Sequence, residues 1–86
     1  MNKYLVEFLG TMFLSYAYIS VGEALPIGLS LIIAIMLGGS ISGGHFNPAI
    51  SIVKTIAKKL TVQDLLIYIV AQISGAIVAL HLNKII

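Results

Sequence analysis

The residues SGGHFNPAI occupy positions 42–50, inside a run otherwise built of Leu, Ile, Ala and Met. Gly43 and Gly44 let a backbone turn sharply and present its carbonyls. Asn47 is a strong helix N-cap, and Pro48 then falls at the first helical position. In hydrocarbon, irregular backbone is tolerated only where protein covers it or where it lines a wet cavity. Carbonyls in a row accept hydrogen bonds from a passing neutral solute, and the Asn47 amide donates one to the solute's oxygen. The positive end of a helix starting at Asn47 repels cations, protons included. The chemistry expected of these residues is passage of small uncharged polar molecules, not the making of bonds.

Other reactive side chains are few. His45 has no second His, Cys or carboxylate at ligand spacing, so no metal and no cofactor is expected. Ser40 and Ser42 sit in GGSISGG, which lacks the G-x-S-x-G pattern of a serine nucleophile and is followed by no base, so an enzyme is not expected. Glu7 is a carboxyl group inside an apolar segment. It is either a buried structural group or shallow enough to reach headgroup water. Gln72 suits a hydrogen bond between helices, and Gly39, Gly43 and Gly75 suit close helix packing. His81 reads as an interfacial side chain.

These residues need elements to hold them. The chain has 86 residues, 59% hydrophobic and 9% charged, with a mean hydropathy of +1.09. A soluble domain cannot hide so much apolar surface, and the fitting solvent is a bilayer. Five lysines stand against Glu7, Glu23 and Asp64, with no arginine and no cysteine. That charge is too sparse for a nucleic-acid partner. Apolar segments at 4–21, 25–41 and 63–82 each approach the roughly 20 residues that span hydrocarbon. Glu7 within the first segment, with no small-x-small site after it, argues for a retained helix rather than a cleaved leader. Residues 42–58 hold the pore loop and a short half-helix, whose apolar side is Ile50, Ile52, Val53 and Ile56. Lys58 and Lys59 suit its negative end. The pattern predicts an all-α membrane protein with three transmembrane helices and one re-entrant half-helix.

SGGHFNPA resembles the first Asn-Pro-Ala loop of the major intrinsic proteins, the aquaporins and glycerol facilitators. EFLGT at 7–11 resembles the start of that family's first helix, and YIVAQISGAIVA at 68–79 resembles its third. The resemblance covers the whole chain and one half of the family's fold, a single inverted repeat. It implies that Asn47, Pro48 and Ala49 form the signature at the half-helix tip. Gly43, Gly44, His45 and Phe46 would supply the carbonyl track. Glu7 would hold the opposite half's loop, and Gln72 would brace the pore loop. Ile27, twenty residues before Asn47, would form one wall of the narrowest constriction, where water-selective members carry an aromatic. The family's constriction arginine has no counterpart here.

Lys3, Lys54, Lys58 and Lys59 fall on one side of the predicted topology and Lys84 on the other. The positive-inside rule then expects a cytoplasmic N-terminus and an outside C-terminus. The expected function is half of a passive channel for water, glycerol or similar neutral solutes. The alternative is a non-conducting remnant, or a membrane subunit that associates with a complete channel. Expected partners are the lipid bilayer and a complementary second half or another copy of the chain, with a tetramer implied by the resemblance. The uneven lysines disfavour insertion both ways round, so the chain alone is not expected to conduct efficiently.

Overall fold

The computed structural model describes residues 1–86 as four helices: α1 (Lys3–Ser20), α2 (Ala24–Ser42), α3 (Pro48–Ile56) and α4 (Val62–Ile85). Several boundaries have a local cause. The Asn2 side chain accepts from the Leu5 N–H at 2.8 Å and caps α1. Gly22 follows α1 with φ 71°, and its N–H reaches back to the Ala17 carbonyl. Gly43 ends α2 in a left-handed conformation, its N–H bonded to the Gly39 carbonyl. The Thr61 hydroxyl caps α4 by accepting from the Asp64 N–H. Asp64 and Lys84 then sit at the ends of α4 where the helix dipole favours them.

Polarity is inverted relative to a water-soluble fold. The buried polar side chains are Glu7, Thr11, Ser30, Ser42, His45, Ser51 and Gln72, while only Val6, Ala34, Phe46, Tyr68 and Ala79 are buried hydrophobics. Large apolar side chains point outward along every helix, with Met36, Leu37 and Ile56 more than three-quarters exposed. Water would penalise that surface heavily, and hydrocarbon does not. α2 and α4, at 19 and 24 residues, are long and apolar enough to cross a membrane. α1 has 18 residues. It carries Lys3 and Glu7 and falls short of that apolarity.

α1 lies against both α2 and α4, α3 packs on α4, and α2 meets α4 at its last residue, where Tyr68 reaches the Ser42 carbonyl. α1 and α4 run parallel, as successive contacts show. Lys3 pairs with Asp64, Tyr4 meets Tyr68 edge to face at 6.1 Å, and Glu7 bonds Gln72. One turn further on, Gly75 abuts the backbone of Phe8 and Met12, so closely that a Cβ would strike the Phe8 carbonyl oxygen. Van der Waals packing of this kind, with small residues at the crossing, is what holds helices together once water is absent. Tyr68, Gln72, Gly75 and Ala79 are the buried face of α4, spaced as one stripe of a helix. α1 and α2 form an antiparallel hairpin about Gly22, with Val6 packed on Gly38.

Candidate solute site at the Asn-Pro loop

The chain between α2 and α3 is held in an unusual shape. Gly43 and Gly44 have φ 92° and 66°, and Phe46 has φ 52°. The glycines adopt these angles without steric cost, whereas Phe46 is strained by about 1–2 kcal/mol. Two contacts offset that strain. The Phe46 N–H donates to Glu7 Oε1 at 2.7 Å. Its ring, 2% exposed, wedges beside Gly10, where any side chain would collide with it.

Glu7 is the hub. Its Oε2 accepts from the Ser42 hydroxyl at 2.7 Å and from the His45 N–H at 3.1 Å. Its Oε1 accepts from the Phe46 N–H and, at 2.8 Å, from Gln72 Nε2. The group is fully buried, and four donors replace the water it has lost. The resemblance assigned Glu7 to the loop of an opposite half. The structure corrects that assignment: Glu7 holds the loop of its own chain, and its two oxygens are fully engaged there. The cause is the close approach of α1 to the loop, which brings the carboxyl group within reach of two successive N–H groups.

Gln72 Nε2 also donates to Ser51 Oγ at 2.9 Å. Ser51 Oγ lies 2.8 Å from His45 Nδ1. The Tyr68 hydroxyl donates to the Ser42 carbonyl at 2.6 Å, and the His45 ring tilts against Tyr68 at 5.3 Å between centroids. Gln72 thus ties α4 both to the loop, through Glu7, and to α3, through Ser51. Ser51 and Tyr68 were not singled out from the sequence, and Ser42 was weighed only as a nucleophile. Their signal was available for α4, since Tyr68 lies one turn before Gln72 on the same face. Ser51 lies four residues after Asn47, one turn along the half-helix.

The network sets where the backbone points. The Gly44 N–H donates to Ser42 Oγ at 3.1 Å, and the next two N–H groups donate to Glu7. Three consecutive N–H groups therefore turn inward. No N–H of the chain donates to the carbonyls of Gly43, Gly44, His45 or Phe46. This row of acceptors leads to Asn47, an exposed residue. Asn47 Oδ1 accepts from the Ala49 N–H at 2.9 Å and is committed to capping α3, with Pro48 at the first helical position. The end of the Asn47 amide left to meet a ligand is its NH2 donor. Ala49, next to Pro48, is exposed beside it.

Ile27 is not part of this cluster. It lies in the first turn of α2. Gly43, at the other end of that helix, is roughly 24 Å away along the axis at about 1.5 Å per residue. The other residues expected from the sequence to form or support the site converge on the loop. Gly43, Gly44, His45 and Phe46 form it, Asn47, Pro48 and Ala49 follow it, and Glu7 and Gln72 support it.

Residues 1–86 match the family described as Major intrinsic protein. The chain is similar to Glycerol uptake facilitator protein-like 6 of Lactiplantibacillus plantarum, 46% identical over 88 aligned residues that cover 92% of this chain and 41% of that protein. It is also similar to Aquaporin Z of Brucella melitensis, 38% identical over 94 residues, again covering 92% and 41%. Aquaglyceroporin AqpS of Rhizobium meliloti is 39% identical over 57 residues, or 66% of this chain and 24% of that one. The chain spans about two fifths of the length of the first two. No solved structure gives a significant match. The family match runs over all of residues 1–86, and the chain belongs to the major intrinsic protein family.

Proposed function

We propose that this chain supplies one half of a passive transmembrane channel for water and small neutral solutes such as glycerol. In this reading α1, α2 and α4 span the bilayer, and residues 42–58 re-enter it as a loop and half-helix, together one inverted repeat. The observation that carries the proposal is the row of four unpaired carbonyls at residues 43–46, ending at the Asn47 amide. A solute hydroxyl donates to successive carbonyls and accepts from Asn47 Nδ2, so each polar group it strips of water finds a partner. The half-helix directs its positive end at the same point and repels cations. The lysines of the loop end favour a cytoplasmic N-terminus and an outside C-terminus. The names of the similar proteins agree with a neutral solute. The complementary wall comes from a second half inserted the other way up, with its own half-helix meeting α3 tip to tip. The complete channel then assembles as a tetramer in the manner of the family.

Osmotic swelling of liposomes tests this reading. Vesicles holding the chain with a half that carries a second Asn-Pro-Ala-Arg loop are expected to admit water and glycerol, and permeation at the level of empty vesicles rejects the proposal. The same assay tests Ile27, placed by the resemblance at a constriction built with the missing wall. An aliphatic side chain leaves more room there than an aromatic. Ile27→Phe is expected to lower glycerol flux by about tenfold, equivalent to roughly 1.4 kcal/mol, with a smaller loss of water flux. Equal losses of both, or neither, remove Ile27 from the constriction.

A further inference from the structure

A second feature lies at the end of the molecule where α1 and α4 begin. A polar cavity of about 710 Å³ opens beside the loop, and Lys54, Lys58, Lys59, Ser42, His45 and Thr55 are among its walls. Lys3 and Asp64 also line it. They cancel one another through an ion pair of 2.6 Å, which the Tyr4 hydroxyl supports by donating to Asp64 at 2.7 Å. Lys3–Asp64 is the one ion pair in the chain, so Lys54, Lys58 and Lys59 have no carboxylate partner. Their convergence is built by the backbone. Lys58 stands at φ 61°, a left-handed position that strains any residue but glycine. The Lys58 and Lys59 N–H groups bond back to the carbonyls of Thr55 and Lys54 and close the turn.

Next to this cavity an apolar groove of about 360 Å³ runs between α1 and α2, with Val6, Leu9, Phe13, Ile33 and Leu37 among its walls. Ile41 lines both the groove and the polar cavity, so the two meet at that end. A neutral solute gains nothing from three unpaired ammonium groups. Topology requires lysines on one side of the membrane but not their convergence on one cavity, nor a strained backbone at Lys58. Cations at a membrane surface beside a furrow of hydrocarbon-facing side chains match the two ends of an acidic phospholipid.

We propose that this end of the chain binds a phospholipid with a net anionic headgroup. Its phosphate sits among Lys54, Lys58 and Lys59, and an acyl chain lies in the groove between α1 and α2. The proposal requires that this end face the bilayer surface but not that the chain conduct, so its test leaves conduction aside.

The full chain in a neutral detergent is titrated with phosphatidylglycerol, phosphatidylcholine and inorganic phosphate, and the thermal midpoint is read. Phosphatidylglycerol is expected to raise the midpoint at concentrations where the other two have little effect. Replacing all three lysines with Gln is expected to weaken the apparent affinity about a hundredfold, from roughly fivefold per lysine. Lys58→Gly separates binding from folding. It relieves the left-handed strain, so the midpoint without lipid holds or rises, while phosphatidylglycerol affinity falls about fivefold. Ile33→Trp, which fills the groove from a half-exposed position, is expected to weaken phosphatidylglycerol with no change in oligomeric state. Undiminished phosphatidylglycerol affinity in the triple variant overturns the proposal, as does an equal response to phosphatidylcholine. An equal response to inorganic phosphate makes the cavity a site for free anions and overturns the lipid assignment. If Ile33→Trp instead dissociates a dimer and leaves lipid affinity intact, a second copy occupies the groove and the acyl-chain assignment is wrong.

Discussion

Glu7→Ala is expected to abolish solute permeation and to destabilise the chain by about 3–5 kcal/mol, because four buried donors lose their shared acceptor together. The Ser42 hydroxyl can rotate to another acceptor, and the Gln72 amide retains Ser51. The N–H groups of His45 and Phe46 have no such recourse, since both are fixed by the backbone and buried. To regain partners they must turn outward, which carries the carbonyls of the loop away from the solute path. Phe46 then also loses the bond that offsets its left-handed strain. Glu7→Gln sharpens the test. Each Glu7 oxygen accepts two donors, so an amide NH2 confronts two donors whichever way it is turned. The isosteric variant should therefore resemble Ala in both swelling rate and thermal midpoint in detergent. Normal flux and midpoint in Glu7→Gln would show that the side chain only fills space.

The second large effect is at Asn47, where one side chain has two roles that substitution can separate. Oδ1 caps α3, and in the proposed channel the NH2 group is the donor offered to solute. Asn47→Ala removes both, with about 0.5–2 kcal/mol lost from the cap. Asn47→Asp keeps the cap and gains about 0.3–1 kcal/mol from a negative charge at the helix N-terminus. It deletes the donor, however, and sets an anion where cations must be turned back. The expected outcome is a stable variant whose glycerol and water flux falls about tenfold, the worth of one hydrogen bond of roughly 1.4 kcal/mol, with a new cation leak. Stopped-flow swelling alongside a cation-flux assay reads both. Full permeability in Asn47→Ala would remove Asn47 from the solute path.

The sequence made some of this arrangement legible. Composition pointed to helices in an apolar solvent, and the structure is all-helical, with its polar residues inside. Asn47 and Pro48 announced the start of α3 because capping is a local matter, settled within three residues. The paired glycines likewise declared a turn. What stayed hidden depends on contacts distant in sequence. Glu7 and Phe46 are 39 residues apart, and no local pattern states that one chain's carboxyl group reaches its own loop. The resemblance directed Glu7 to an opposite half, whereas its hydrogen bonds run to the loop of this one. Ser51 and Tyr68 belong to the same class, since their partners His45 and Ser42 lie across an element boundary. Gly10 also gave no warning that it makes room for the Phe46 ring. Ile27 lies at the far end of α2 from the loop, and its proposed place at a constriction rests on the resemblance alone.

Glu7 also bears on assembly. Because the chain satisfies its own carboxyl group, the loop keeps its shape without help from a partner, and in the proposed channel a second half need only close the open side of the acceptor row. A parallel pair of chains cannot close it, because both half-helices then enter from the same face. An antiparallel pair requires dual insertion, against four lysines on one side and one on the other.

The most direct test of the account therefore compares swelling of liposomes holding this chain alone with liposomes holding it together with a complementary half. Cysteines placed at positions 2 and 85 report orientation in intact cells. The account predicts permeation only in the paired vesicles, with position 85 labelled from outside and position 2 protected. Rapid solute flux through the chain alone, with both positions labelled equally from outside, would contradict it and establish an antiparallel pair of identical chains as the channel.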